Sequence, residues 1–409
     1  MRLLFVVQRY GARVAGGAEL CCREYATRLA SRGHHVEVLT SCAVSYVDWA
    51  NEFPEGRHEL DGVVVNRLPV ACPRDHDLFG PLHARVLGGR PTPLYLQREW
   101  MRQQGPYVPE LPRWLEREAD TFDAVVFFTY LYYTTWAGLP VAAAQAPTVL
   151  HPTAHDEPPI HLPLFDYLFR HATGLGYLTE EEGEFVERRF RLRRPSAVLG
   201  IGMDLDATGA EERFRREHGL GDRPYVVFVG RVDPHKGAVE LADMFRAYKA
   251  RNPGPLALVV VGEPVWPLEP HPDIVVTGFV DESVKRDALD GAIALLQPSY
   301  FESFSMVVTE AWVQGKPVLG QRRNDVVFGQ LRRSGGGIPY TGFAEFECAL
   351  DMVLGDAALR ERLGKNGRAY VERRYRWDDV LDRYERFLGH ISRSGMPARA
   401  VDPAASSVS

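Results

Sequence analysis

Cysteine is scarce: five in 409 residues, an odd number with no C-x-x-C pair. That argues against a disulfide framework and against thiolate metal sites, and fits small buried thiols in a reducing cytosol. No apolar run approaches the length needed to span a bilayer. The short apolar start, 1–7, is interrupted by Gln8-Arg9-Tyr10 with no cleavage-like segment after it, so it reads as a first strand rather than a leader. Positive charge is not in excess. A net charge of −6 speaks against nucleic acid as the main partner. No G-x-G-x-x-G follows a candidate strand, which removes the usual dinucleotide signature and weakens an oxidoreductase reading. No repeat of solenoid type is visible.

What is present is ordinary for a globular enzyme: 45% hydrophobic and 25% charged residues, over a length that predicts two domains. The run 3–7 reads as a strand covered on both faces. A loop with Gly11, Gly16 and Gly17 follows, then a helical pattern over 18–31 and a strand at 36–40. Further apolar runs stand at 63–68, 124–128, 148–150, 174–178 and 197–199. The stretch 72–112 is irregular and rich in Pro, Gly and Arg, expected as a loop or short helices. Its Tyr95, Trp100, Tyr107 and Trp114 read as packing residues before pocket-lining ones. A second series has strands at 225–229, 256–261, 274–277, 293–297 and 317–319, with helices at 239–251 and 283–289 between them. This divides the chain into a first domain at 1–200, a linker at 201–222, a second domain at 223–376, a last helix at 377–394 and a disordered tail at 395–409. Two βα series imply an α/β protein of two doubly wound Rossmann-like domains facing across a cleft, with ligands beyond the strand C-termini.

The most informative stretch is 299–318. A polar turn there leads into a helix expected from about Met306, capped by Ser303 or Ser305 and ended by Gly315 and Pro317. Glu302 stands just before that helix and Glu310 about one turn inside it. A helix N-terminus attracts anions, and two carboxylates beside it suit hydroxyl groups on either side of one. A sugar nucleotide has that shape. The plain alternative is a capped surface helix with two solvated glutamates. The segment Gly230-Arg231-Val232-Asp233-Pro234-His235-Lys236-Gly237 follows the strand at 225–229 directly. Arg231 can fork onto two oxygens and Lys236 adds a compact charge, a combination suited to a diphosphate. The alternative is a surface turn with solvated cations. Gly16-Gly17-Ala18-Glu19 opens the first helix and allows close backbone approach, or is simply a tight turn. The stretch 151–161 holds three histidines and two acids, but its prolines and spacing favour a polar loop over a metal site.

Glu302 and Glu310, with seven residues between them, resemble the E-x7-E of retaining family 4 glycosyltransferases, the GT-B kind with two Rossmann-like domains. Ser303 and Ser305 stand where that family usually has glycines. Arg231 and Lys236 match its G-R-x4-K-G, and Gly16 to Glu19 its G-G-x-E. The resemblance covers nearly the whole chain. It implies that Arg231 and Lys236 stabilise a departing diphosphate, that Glu310 holds the ribose, and that Glu302 holds the transferred sugar near its C3 hydroxyl. It gives His155 the sugar contact from the first domain and makes Glu19 a support of its loop. Gly16, Gly17, Val280, Phe304 and Ser305 are donor-side positions, with Phe279 beside them; Asp156 either orients His155 or meets the acceptor, and Tyr130 falls on the acceptor side.

The resulting expectation is a metal-independent, retaining transferase moving a sugar from a nucleotide diphosphate sugar, UDP or GDP based, to a hydroxyl acceptor in carbohydrate biosynthesis. The donor is a co-substrate and no cofactor is expected. The rivals are a disaccharide phosphorylase of the same fold and a non-catalytic sugar-nucleotide-binding protein. Glycan, lipid-linked carrier and small natural product remain open as acceptors. The setting is cytoplasmic. The arginine-rich stretch 188–194 offers either a contact to the inner membrane face or a solvated helix end. Asp204-Leu205-Asp206 has the D-x-D form of metal-dependent transferases but reads as chance. The segment 324–340 tunes ligand choice or forms a loop.

Overall fold

The computed structural model describes residues 1–14 and 16–394. The tail expected at 395–409 lies outside them. The described residues form two compact units: 1–199 together with those from Leu381 onward, and Gly200–Val380. Each carries one sheet.

In the first unit the strands are β1 (Arg2–Val6), β2 (His35–Ser41), β3 (Gly56–Leu60), β4 (Val63–Leu68), β5 (Ala124–Phe128), β6 (Thr148–His151), β7 (Gly174–Tyr177) and β8 (Ser196–Val198). They lie in the order β3-β4-β2-β1-β5-β6-β7-β8. Pairing is parallel except for β3, which runs antiparallel to β4 at the edge. That strand carries Arg57, His58 and Glu59 and is mostly exposed. Its polarity hides it from a hydrophobicity reading and protects an open edge from further pairing. The central strands are apolar on both faces, as burial beneath two helical layers requires.

Of the two expectations for the stretch 72–112, a loop or short helices, the structure has the helices. It contains helices His76–Leu87 and Leu94–Gln104, followed by Glu110–Glu118. Asp75 starts the first by accepting from the N–H groups of Asp77 and Leu78. Leu82, Val86, Trp100 and Met101 bury these helices in the core of the unit, while Tyr95 faces solvent. The second half of the last helix, Trp377–Ser394, also packs here. Tyr384 donates or accepts at His151 Nε2 (2.9 Å) and stacks on Tyr25; Asp382 and Glu385 take Arg32, and Ile391 fills the space left by Gly174.

The second unit holds β9 (Tyr225–Val229), β10 (Ala257–Val261), β11 (Ile274–Gly278), β12 (Leu295–Gln297), β13 (Val318–Gln321) and β14 (Gly337–Tyr340). All pairs are parallel, in the order β11-β10-β9-β12-β13-β14. The segment 324–340 is thus a helix, Asp325–Ser334, and an edge strand rather than a loop. Pro339 is tolerated because β14 is an edge, and Gly337 because a Cβ there would meet Val318 O at 2.0 Å. The stretch 201–222, expected as a linker, contains the helix Glu211–Glu217, whose Phe214 is buried and whose Arg213 pairs with Asp287. Those contacts make it part of the second unit.

Trp312 anchors this unit. It is fully buried, donates to Gly336 O (2.9 Å) and stands edge-on to Tyr370. Gly367 and Gly336 leave no side chain where its ring lies: a Cβ would fall 2.1 and 2.5 Å from it. Trp312→Ala is expected to cost about 3–5 kcal/mol, seen as an earlier urea midpoint with little change in m-value. Trp312→Phe should cost less.

Candidate active site

A doubly wound sheet binds its ligand where the strand order reverses. In the second unit the chain steps from β9 outward to β10 and β11, then returns beside β9 as β12. The loops after β9 and β12 therefore meet. Gly237, with φ 71°, makes this possible, since a Cβ there would stand 2.6 Å from Pro298 O. Asp233 builds the first loop. Its Oδ1 accepts from the Lys236 N–H at 2.9 Å and its Oδ2 takes the Arg231 guanidinium. Burial works to raise the Asp233 carboxyl, but Arg231 and the Lys236 N–H outweigh it and hold the group below its ordinary range. Lys236 Nζ donates to Glu302 Oε1 at 2.8 Å. The Glu302 side chain is 13% exposed and Lys236 35%, so the pair lies at the surface of the loop junction.

Glu302 leads into the helix Met306–Val313. Ser305 precedes that helix in a left-handed conformation, φ 65°, where a glycine would be unstrained. Its hydroxyl does not cap the helix as expected, because it accepts from Gln297 Nε2 at 2.6 Å. Phe304 is not a ligand contact through its ring, which is 2% exposed and edge-on to Tyr375; its carbonyl accepts from Gln330. Glu310 is held by Lys285 (2.9 Å), which also reaches Glu282 (2.7 Å). Burial would lower the Lys285 ammonium, yet Glu310 and Glu282 raise it overall. Val280 is half-buried just after β11, and Phe279 is 70% exposed, not in the core. Sequence reading missed Asp233 and Lys285 as parts of this cluster. Asp233 lay inside a quoted motif, but nothing local marks Lys285.

In the first unit the order reverses between β1 and β5. Gly16 and Gly17 start the helix Gly17–Ser31, with exposed backbone. A Cβ at Gly16 would sit 2.2 Å from the Glu19 carboxylate. Glu19 supports this loop, taking the Arg9 Nε at 2.8 Å in a buried pair. His155 follows β6, but Asp156 does not orient it: Asp156 is exposed and pairs with His161 at 2.6 Å. Glu157 takes that part, 3.2 Å from His155 Nε2. Tyr130 is no acceptor surface either. Its ring is buried against Phe165 and its hydroxyl donates to Glu157 at 2.7 Å. Two neighbouring turns are also fixed by a carboxylate: Glu182 accepts from the Ala154 N–H (2.8 Å) and the Leu178 N–H (2.6 Å).

His151, His155 and His161 do not converge, since His151 is buried beside Tyr384. Among the described residues no group of three or more His, Cys, Asp or Glu is placed to hold a metal ion. No described helix is long and apolar enough to cross a membrane.

Two family models match the chain: "Glycosyl transferase 4-like domain" over residues 16–202 and "Glycosyl transferases group 1" over 210–370. The alpha-D-kanosaminyltransferase of Streptomyces kanamyceticus is 25% identical over 335 residues, 74% of this chain and 83% of that protein. A D-inositol 3-phosphate glycosyltransferase of Jonesia denitrificans is 26% identical over 408 residues, 92% of each. The sucrose-phosphate synthase of Thermosynechococcus elongatus has a similar fold, with a TM-score of 0.71 at 16% identity, covering 96% of this chain and 100% of that one. The architecture is that of the GT-B glycosyltransferases, two doubly wound α/β domains. The chain itself belongs to the family 4-like members of that class.

Burial pushes the Glu182 carboxyl up to about 7, against the downward pull of its N–H donors. A folded value above the unfolded one adds stability below pH ~4.5 that is lost as pH rises through ~7. Unfolding of Glu182→Gln should therefore fall less between pH 5 and 8 than wild type does, by roughly 2–3 kcal/mol, while being weaker overall at pH 5. Parallel pH profiles for the two proteins would remove Glu182 as the source.

Proposed function

We propose that this glycosyltransferase moves a sugar from a nucleotide diphosphate sugar to a hydroxyl acceptor, with retention at the anomeric carbon and without a metal ion. The observation that supports it most is the row of cation–carboxylate pairs around the strand reversal of the second unit: Arg231 with Asp233, Lys236 with Glu302 and Lys285 with Glu310. The cations are partly exposed at Arg231 and Lys236, where a diphosphate can share them. In this reading they neutralise the leaving group, the charge a divalent ion would otherwise supply. Glu302 accepts from a hydroxyl of the transferred sugar and Glu310 from the ribose. Gly16, Gly17 and His155, the last steadied by Glu157, are the first unit's own candidate ligand positions.

The acceptor oxygen attacks the anomeric carbon on the face from which the diphosphate leaves. The C–O bond to the diphosphate breaks with its electron pair going to the phosphate oxygen. The acceptor's proton passes to a donor phosphate oxygen, so no protein nucleophile is needed. The relative named for D-inositol 3-phosphate favours small polyhydroxylated acceptors as the first to test. Five free thiols support a cytosolic setting.

Thermal melts with UDP, GDP, ADP, TDP and NAD in the presence of EDTA are expected to show a shift of several degrees with one nucleoside diphosphate. A shift with NAD alone would sink the reading. Glu302→Ala should reduce transfer by at least ~100-fold while keeping much of the diphosphate affinity. Near-normal turnover in that variant would exclude Glu302 from the chemistry, and turnover dependent on inorganic phosphate would indicate a phosphorylase instead.

A further inference from the structure

We propose that Lys285 is a positioning residue that makes Glu310 selective for a ribose diol, so that the enzyme distinguishes nucleoside diphosphates from their 2′-deoxy forms. This rests on the donor reading given above. Lys285 stands on the helix Glu282–Asp290, which begins two residues after Val280. Glu310 stands on a different helix, Met306–Val313. The ammonium joins the two, 2.9 Å from Glu310 Oε1 and 2.7 Å from Glu282 Oε2.

The Lys285 side chain is 16% exposed, and an ammonium that far from water is stable only when paired. Glu310 is 23% exposed, so its carboxylate still reaches solvent. With Oε1 held by Lys285, rotation of that carboxylate is restricted, and Oε2 is the oxygen left to accept from a ligand. A glutamate otherwise loses considerable rotamer freedom when it binds; a fixed one has already lost it. A vicinal diol donates two hydrogen bonds to a fixed carboxylate, whereas a 2′-deoxyribose donates one. Lys285 therefore acts on selectivity through geometry, without touching the ligand. Glu282 completes the pairing: its side chain is 69% exposed and it neutralises the ammonium from the solvent side.

The test compares binding of UDP, GDP and ADP with that of their 2′-deoxy forms by calorimetry. Wild type should prefer the ribo form of its diphosphate by on the order of tenfold. Lys285→Met should bring that preference to within about twofold, and Lys285→Arg should restore most of it. In a Glu310→Gln background, Lys285→Met should leave the ratio unchanged, which keeps the test valid if the single variant folds poorly. Glu282→Gln should retain the preference. Loss of affinity for both forms with the ratio intact would overturn the proposal and leave Lys285 as a tie between helices. Failure of wild type to bind any nucleoside diphosphate would overturn the donor reading itself, and this inference with it.

Discussion

A lysine and a glutamate that meet across the strand reversal of the second sheet organise the second unit of this protein. Burying Glu302 to 13% exposure is costly unless a cation compensates, and Lys236 does so at 2.8 Å. The rest of the junction serves that meeting. Asp233 shapes the turn that carries Lys236, and Gly237 lets the turn approach Pro298. Ser305 takes a strained backbone conformation so that the chain can bend from Glu302 into its helix. The fully parallel sheet sets the condition beneath all of this, because it delivers every such loop to one edge.

The residues proposed to carry the chemistry were readable because their spacing is local. Glu302 and Glu310 share one strand–turn–helix unit, and Arg231 and Lys236 share one turn. Their partners were not readable for the opposite reason. Lys285 meets Glu310 from another helix, and Tyr130 reaches Glu157 across 27 positions. Asp156 and Glu157 are adjacent, and only the path of the backbone decides which one faces His155. Composition also misled. The polar strand β3 and the proline-bearing β14 are edges, where the usual apolar signature is weakest. Ser305 has the chemistry of a cap but spends its hydroxyl on Gln297.

The first unit uses carboxylates differently. Glu19 is ionically paired with Arg9, while Glu182 is buried among backbone donors, and its carboxyl is pushed up to about 7. Both hold loops that follow strands at the C-terminal edge or lie beside them. They supply rigidity to segments whose exposed Gly16 and Gly17 and half-buried His155 would otherwise have less to fix them. Glu157 extends the same pattern by joining the core hydroxyl of Tyr130 to the His155 ring.

The last helix gives the first unit a discontinuous sequence, since Tyr384 and Ile391 complete a core built mainly from residues 1–199. A ribosome releases those residues only after the whole second unit has been made. Until then His151 and Tyr25 lack the aromatic ring that covers them, and the cavity beside Gly174 stays open. The second unit needs almost nothing from the far end of the chain and can fold while still attached. The half of the protein that is synthesised first is therefore the half that finishes folding last.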